Sequence, residues 1–558
     1  MMKKSLLAFL VLILLQDAFT QVSIPDTAIT RFKQERKKQV QYDNPVLPGF
    51  FPDPSVVRVG TDYYLVNSTF QYFPSIIISH SKDLVHWEQI GHVLTKAKDI
   101  ELNHFFDGMG MWAPDISYYK DTFYVFYCLV QLTKDRHINV RGNYMVKSKS
   151  INGPWTTPVQ LTFEGNDPSH FIDDDGTHYM AYAAGIPKGR GTKIVKLNNE
   201  CTKVVGEPKW MEWGNEIGHP EGPHVFKKDG YYYHHIAAGG GVYPEHHQLI
   251  ARSKNIYGPY EPSPYNPFIA QMKLGQTPRP RTTQQGHAML VNTQNGEWWA
   301  MYLSMRRVDG KNNQLGRETG LDKINWLSDG WPILNEGDGP SEKNWAPDLP
   351  VKKYNSSLME DFSSNKLNPN WEWVRIPDSN SFSLSERKGH LILYTTPFDL
   401  DTIAARNILL RREVNLNYSA ITKLDFKPQS TERAGLVCYY DTKTYASFSL
   451  AFDNGLQLVI EECKKGKRNR VAMVSDIQNK PIYLKVQVIV YERIFWYSYD
   501  NKDWKQAGRI ANANYLSDSG TPQWGFMGTM VGIYSLNRGS GKRLPADFDF
   551  FNYYSEDK

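Results

Sequence analysis

A short turn followed by an aromatic-rich strand recurs five times in this chain, and no other feature limits its fold so sharply. The blocks are Gly60-Thr61-Asp62-Tyr63-Tyr64, Lys120-Asp121-Thr122-Phe123-Tyr124, Asp175-Gly176-Thr177-His178-Tyr179, Asp229-Gly230-Tyr231-Tyr232-Tyr233 and Asn295-Gly296-Glu297-Trp298-Trp299. Their last residues are spaced 60, 55, 54 and 66 apart. Three contain Asp-Gly or Asn-Gly, the dipeptides of tight hairpins, and all are flanked by β-formers. A second hairpin-like segment follows each block: His80 to Leu94, Lys147 to Leu161, Lys193 to Met211, Ala251 to Ile269, and Gly316 to Leu334. Four strands per unit, five units and almost no helical periodicity predict an all-β chain in which residues 40–345 form a five-bladed β-propeller.

The spacing breaks near residue 350. Runs such as His390 to Thr396, Ala434 to Asp441, Leu456 to Cys463 and Ile482 to Tyr491 alternate apolar and polar residues at strand length. They predict a second domain over residues 358–558, an antiparallel, jelly-roll-like β-sandwich, with residues 346–357 as linker. The one dense basic run, Lys464 to Arg470, lies between two strands and reads as a solvated hairpin tip.

Composition narrows the partners. Lys+Arg 64 against Asp+Glu 59 leaves a net charge of +5, too small and too dispersed for nucleic-acid binding. Cys128, Cys201, Cys438 and Cys463 lack CxxC spacing, which argues against a disulfide scaffold and a cysteine-based zinc site and leaves room for one or two disulfides. The 26 Phe, 15 Trp and 33 Tyr suit both β-structure and the stacking of sugar rings. Lys3 and Lys4 precede an apolar run from Leu6 to Leu15, so residues 1–20 read as a secretory signal peptide and the mature chain as periplasmic or secreted. No stretch has the ~20 apolar residues of a stable membrane span.

The repeat register points to the chemistry. Twelve residues before the terminal aromatics stand Trp112, Asp167, Glu221 and His287, and eleven before the first stands Asp53. These positions open the innermost strand of each blade, so they converge at one mouth of the channel. Proline neighbours the three acids, in Pro52-Asp53-Pro54, Asp167-Pro168 and Pro220-Glu221. Clustered carboxylates cannot all ionise cheaply, and the resulting spread of pKa values is what acid and base catalysis of glycoside hydrolysis needs.

Several ordered motifs resemble family 43 of the glycoside hydrolases, in its β-xylosidase and α-L-arabinofuranosidase branch with a C-terminal sandwich. They include Phe51-Pro52-Asp53-Pro54-Ser55, Trp112-Ala113-Pro114, Glu221-Gly222-Pro223-His224, Gly286-His287 and Leu315-Gly316-Arg317-Glu318. The resemblance implies an exo-acting, inverting hydrolase of hemicellulose poly- and oligosaccharides. Asp53 would be its general base, Glu221 its general acid, and Asp167 the group that raises and orients the acid. Arg317 matches an arginine that contacts sugar and acid; Phe70 and Trp112 match aromatics that wall the pocket. His287 matches a channel histidine that in relatives sits by water or a cation such as calcium. No cofactor is required and no metal ligand set is assigned.

Two departures stand out: Ala288-Met289 follows the channel histidine, and Met530 aligns where relatives close the site with a loop phenylalanine. The pairs His234-His235 and His246-His247 lack HExxH context and read as strand and pocket-rim residues, one of the second pair contacting substrate. A catalytically silent sugar-binding propeller and a retaining, fructan-type five-bladed hydrolase stay open.

Overall fold

The computed structural model describes residues 22–35, 40–132, 138–186, 189–211, 220–241, 245–271, 281–354, 359–539 and 541–557. The signal-peptide assignment lies outside them. Five four-stranded antiparallel sheets follow one another, each with its strands in chain order from the channel outward. Their first strands are Ser55–Val59, Gly110–Tyr119, Asn166–Ile172, Glu221–Lys228 and Thr282–Asn292, and each packs against the first strands of its neighbours around a closed ring.

The repeated turn joins the first two strands of every blade. In blade 4, Lys228 pairs with Tyr231 across Asp229 and Gly230, whose φ values of 50° and 71° give the primed turn that matches strand twist. Blade 2 makes the same turn with Lys120 and Asp121 at φ 45° and 56°. The aromatics that follow fill the space between blades: Tyr63 and Trp299 share the core of blades 5 and 1, and Tyr233 shares that of blades 4 and 5. The ring closes without an exchanged strand. Gln41–Asp43 pairs with Lys343–Trp345 just outside blade 5, and Leu47 bridges Thr319. One element escaped the sequence reading, a helix over Asp26–Glu35 whose Phe32 packs on Leu327 and Ile333 of blade 5.

The second domain is a sandwich of two antiparallel sheets. The Lys464 to Arg470 run is indeed a hairpin tip, with Lys464 paired to Lys467 and the surrounding side chains largely exposed. The two domains share a sheet and a core. Tyr72–Phe73, from a loop of blade 1, adds as an edge strand to Glu372–Val374 of the sandwich. Phe50, Phe70 and Tyr72 of the propeller belong to the same buried cluster as Leu409, Met527 and Ile533 of the sandwich. Across this seam the buried Arg375 donates to Asp107 at 2.9 Å, and Asp107 also accepts from the Thr442 backbone at 3.1 Å. All four cysteines are free and buried, so the disulfides that composition allowed are absent.

Candidate active site

Every first strand enters its blade through a left-handed residue: Asp53 at φ 51°, Ala113 at 36°, Asp167 at 54°, Gly222 at 54° and His287 at 46°. Non-glycine residues pay about 1–3 kcal/mol for such a backbone and keep it only where tertiary contacts enforce it. In blades 2 to 5 the ladder also slips here, between Trp112 and Asp115, Asn166 and Ser169, Glu221 and His224, and Gly286 and Met289. A bulge re-aims the side chain of the strand that carries it. The proline-flanked acids are therefore turned out of the ladder toward the channel mouth.

Asp53 is buried at 4% exposure and held on both oxygens. Arg317 Nη1 donates to Oδ1 at 3.1 Å, Nη2 to Oδ2 at 3.4 Å, and Ser68 Oγ to Oδ2 at 2.7 Å. Asp167 accepts the backbone N–H of Gly222 on Oδ2 at 3.0 Å, which ties its carboxyl to the peptide that follows Glu221. A β-carbon on Gly222 would stand 3.0 Å from the His287 ring, and His287 Nδ1 is 3.8 Å from Asp53 Oδ1. Glu221 Oε1 lies 3.3 Å from the point where a β-carbon of Gly241 would sit, and Arg317 Nη1 lies 3.5 Å from it. Asp53, Asp167, Glu221, His287 and Arg317 thus form one chain of contacts. The sequence comparison placed Arg317 at the acid; the structure lays its guanidinium along Asp53, with the acid close by.

His246 completes the surroundings of Glu221. Its Nδ1 donates to the Gln284 carbonyl at 3.1 Å, because a carbonyl only accepts, and this orients the ring. Nε2 faces Glu221 Oε1 at 3.2 Å, close but outside good hydrogen-bond alignment. Gly286 makes room for this ring: a β-carbon there would be 2.6 Å from His246 Cε1. His247 turns the other way, its Nδ1 donating to the Glu245 carbonyl at 2.8 Å. His234 and His235 are buried in the second strand of blade 4, as strand residues.

An aromatic wall closes one flank. Phe70 meets the half-buried Trp112 edge to face, with centroids 5.9 Å apart. Phe526 of the sandwich stacks on Phe70 at 6.1 Å and 9°, meets Trp112 at 5.2 Å, and lies 5.0 Å below the Arg317 guanidinium. Its carbonyl accepts Arg317 Nε at 3.0 Å. The closing group is therefore Phe526, and the expectation for Met530 is corrected. Met530 is fully buried in a sandwich strand, paired with Arg412 and Tyr439. The loop lands here because Gly528 packs backbone to backbone on Leu315 and Gly316, where a β-carbon would come within 2.3 Å of the Leu315 carbonyl.

Asp115, one strand position beyond the bulge of blade 2, was not singled out from sequence. It accepts from Ser55 Oγ of blade 1 at 2.7 Å and from the His170 N–H of blade 3 at 2.7 Å, and stands 3.5 Å from His224 Nδ1 of blade 4. Burial pushes its carboxyl up to about 7, against the pull of those donors. His224 and His235 stack at 5.3 Å beneath His287, and burial holds His224 down to about 3. A calcium ion takes six to eight oxygens. His287 Nδ1 and the neighbouring Asp53 Oδ1, which Arg317 also holds, supply one oxygen of that number.

Comparison with known proteins agrees with this geometry. The Glycosyl hydrolases family 43 description matches residues 42–332, and that of the beta xylosidase C-terminal concanavalin A-like domain matches residues 359–554. A xylan 1,3-beta-xylosidase of a Vibrio species is 33% identical over 91% of this chain and 98% of that relative. A non-reducing end alpha-L-arabinofuranosidase of Bacteroides ovatus is 32% identical over 92% and 95%. Among solved structures, a family 43 protein of Bacillus licheniformis superposes with a TM-score of 0.86 at 44% identity, covering 92% of this chain and all of that one.

Proposed function

Because the chain belongs to glycosyl hydrolases family 43 and so acts on O-glycosyl bonds, we propose that it is an exo-acting enzyme releasing terminal β-D-xylose, α-L-arabinofuranose or both from hemicellulose with inversion. The observation that carries this reading is the contact chain joining three acids from three blades through Gly222, His287 and Arg317. The substrates are xylan, arabinoxylan, xyloglucan or arabinan, or oligosaccharides from them. Relatives named for each sugar match at nearly equal identity, which supports one pocket that accepts both.

In this mechanism Asp53 removes a proton from a water that attacks the anomeric carbon, while Glu221 gives its proton to the departing glycosidic oxygen. The old bond breaks on one face as the new one forms on the other, so the two carboxyls need room for a water, roughly 6.5–9.5 Å. Asp167, tied to the peptide after Glu221, brings a second negative charge beside the acid and favours its protonated form. His246 Nε2, 3.2 Å from Glu221 Oε1, stands where it can hold the acid's side chain in place between turnovers. Arg317 fixes the base by a two-point hold that lysine could not reproduce. Phe526 and Trp112 block extension of the sugar on their side, which suits cleavage at a chain end. His287 borders Asp53 and keeps water at the channel side of the base; no cofactor takes part.

We place the mature enzyme in the periplasm or outside the cell, on the strength of Lys3, Lys4 and the apolar run to Leu15; an intact N-terminus on protein recovered from its native host would contradict this. The catalytic reading is tested by hydrolysis of aryl β-D-xylopyranoside and aryl α-L-arabinofuranoside side by side. Activity on either, abolished by Asp53→Ala, is expected. Silence on both, with polysaccharide bound but not cut, would leave a sugar-binding propeller.

A further inference from the structure

A second cluster of reactive side chains lies deep between blades 2 and 3, at the end of the sheets away from the channel mouth. His170 and His178 come from the first two strands of blade 3, and Cys201 from the turn joining its last two strands. All three are buried, at 9%, 4% and 0% exposure. His170 Nε2 is 2.9 Å from His178 Nδ1, Cys201 Sγ is 3.2 Å from His178 Nδ1, and the same sulfur is 3.7 Å from His170 Nε2. The triangle is formed by two nitrogens and one sulfur. Donors around a tetrahedral zinc ion, with Zn–N near 2.0–2.1 Å and Zn–S near 2.3 Å, stand about 3.3–3.6 Å apart. Opening two edges by a few tenths of an ångström would admit the ion.

The surroundings have the form of an outer ligand shell. Ser117 Oγ of blade 2 sits 2.6 Å from His170 Nδ1, the nitrogen facing away from the triangle, so it can take that N–H and leave Nε2 bare toward the centre. Phe126 stacks on the His170 ring at 4.6 Å, Tyr124 tilts over both rings, and Tyr119 meets His178 edge on. These contacts fix both imidazole planes. Cys201 occupies a left-handed position at φ 54°, where glycine would be less strained. A side chain kept at such a position has to be supported by its contacts, and the two imidazoles are among them.

From this geometry we infer that His170, His178 and Cys201 bind one transition-metal cation of the zinc class, as a structural staple of blade 3. Two imidazoles and a thiolate are borderline and soft donors, matched to zinc and unsuited to calcium or magnesium. Burial keeps both histidines in the neutral form that binds metal and pushes the Cys201 thiol up to about 12, so the cation must displace the thiol proton as it enters. One S–H bond is lost, one S–metal bond forms, and one proton leaves to solvent. Lys120, Lys147 and Glu200 are the charged groups that bear on the cluster. No cysteine pair along the chain has ligand spacing; the donors are up to 31 residues apart and only the fold unites them. His170 lies three residues beyond Asp167 on one strand, so the staple would stiffen the strand that carries the third acid.

The test uses full-length, untagged protein stripped with a chelator and freed of it. Zn(II) is titrated against a chromophoric competitor, and Co(II) is added separately to look for thiolate-to-cobalt absorption. The inference predicts one Zn(II) per chain, a thiolate band with Co(II), and a melting temperature raised by Zn(II). Cys201→Ser should lose the band and weaken Zn(II) at least tenfold, His178→Gln should weaken it similarly, and Ser117→Ala should weaken it about 10- to 100-fold. Absence of stoichiometric binding by the folded parent overturns the inference. So does binding of unchanged affinity in both Cys201→Ser and His178→Gln, which would place the ion at another site.

Discussion

Arg317 grips both oxygens of Asp53, at 3.1 and 3.4 Å, while its Nε is held by the carbonyl of Phe526 from the other domain at 3.0 Å. Asp53, the base we propose, is thus positioned by an arginine that the sandwich holds in place. On the proposed mechanism this gives the second domain a part in the chemistry that a mere buttress would not have.

Phe526→Ala tests that coupling. The substitution keeps the backbone carbonyl but removes three aromatic contacts, to Phe70, Trp112 and Trp524, and the cation–π contact to Arg317, together worth about 3 kcal/mol. We expect kcat/KM on an aryl glycoside to fall about 10- to 100-fold in protein that is still folded at the assay temperature, with the melting temperature lowered by the lost packing. An unaltered kcat/KM would detach the sandwich from catalysis.

Gly286→Ala tests the placement of His246. The new methyl would stand 2.6 Å from Cε1, so the ring must shift from its present place beside Glu221. About a tenfold drop in kcat is expected, with KM nearly constant, since the acid rather than sugar binding is disturbed. A larger change in KM than in kcat would assign His246 to substrate contact instead.

Asp107→Ala addresses the seam. It would leave Arg375 fully buried without its carboxylate, an error that costs about 3–5 kcal/mol in buried pairs. Thermal unfolding should show a marked loss of stability. A loss below about 1 kcal/mol would mean that water enters the seam and solvates the arginine.

Asp115 makes stability depend on pH. Its folded value is raised from 3.8 to about 7, so the folded state holds the proton more tightly than the unfolded chain does. The contribution is full below about 4, declines as pH rises toward 7, and is flat above that. Asp115→Asn stays neutral throughout, so its melting temperature should gain on the parent between pH 5 and pH 8. A difference independent of pH would show that the carboxyl titrates near its ordinary value.

The propeller was legible because its turn chemistry repeats, and Asp53, Trp112, Asp167, Glu221 and His287 were legible because the repeat carries a register. Arg317 and Phe70 lie off that register and came only from the family resemblance, and the other residues off it were not legible. Phe526 is supplied by a loop of the second domain, placed by the fit of Gly528 on Gly316 rather than by any local pattern. His246 lay within a noticed pair, but only the Gln284 carbonyl tells which of the two faces the acid. Asp115 looks like an ordinary strand residue until three blades close around it. The helix over Asp26–Glu35 is short and weakly patterned, and packing on blade 5 accounts for it.

The most direct test of the central claim is the configuration of the sugar at the instant of release. Proton NMR of aryl β-D-xylopyranoside hydrolysis should show α-xylose first, with β-xylose appearing only as the free sugar mutarotates. Appearance of β-xylose first would mean that a carboxylate attacks carbon directly, and would contradict the assignment of Asp53 as a base acting through water.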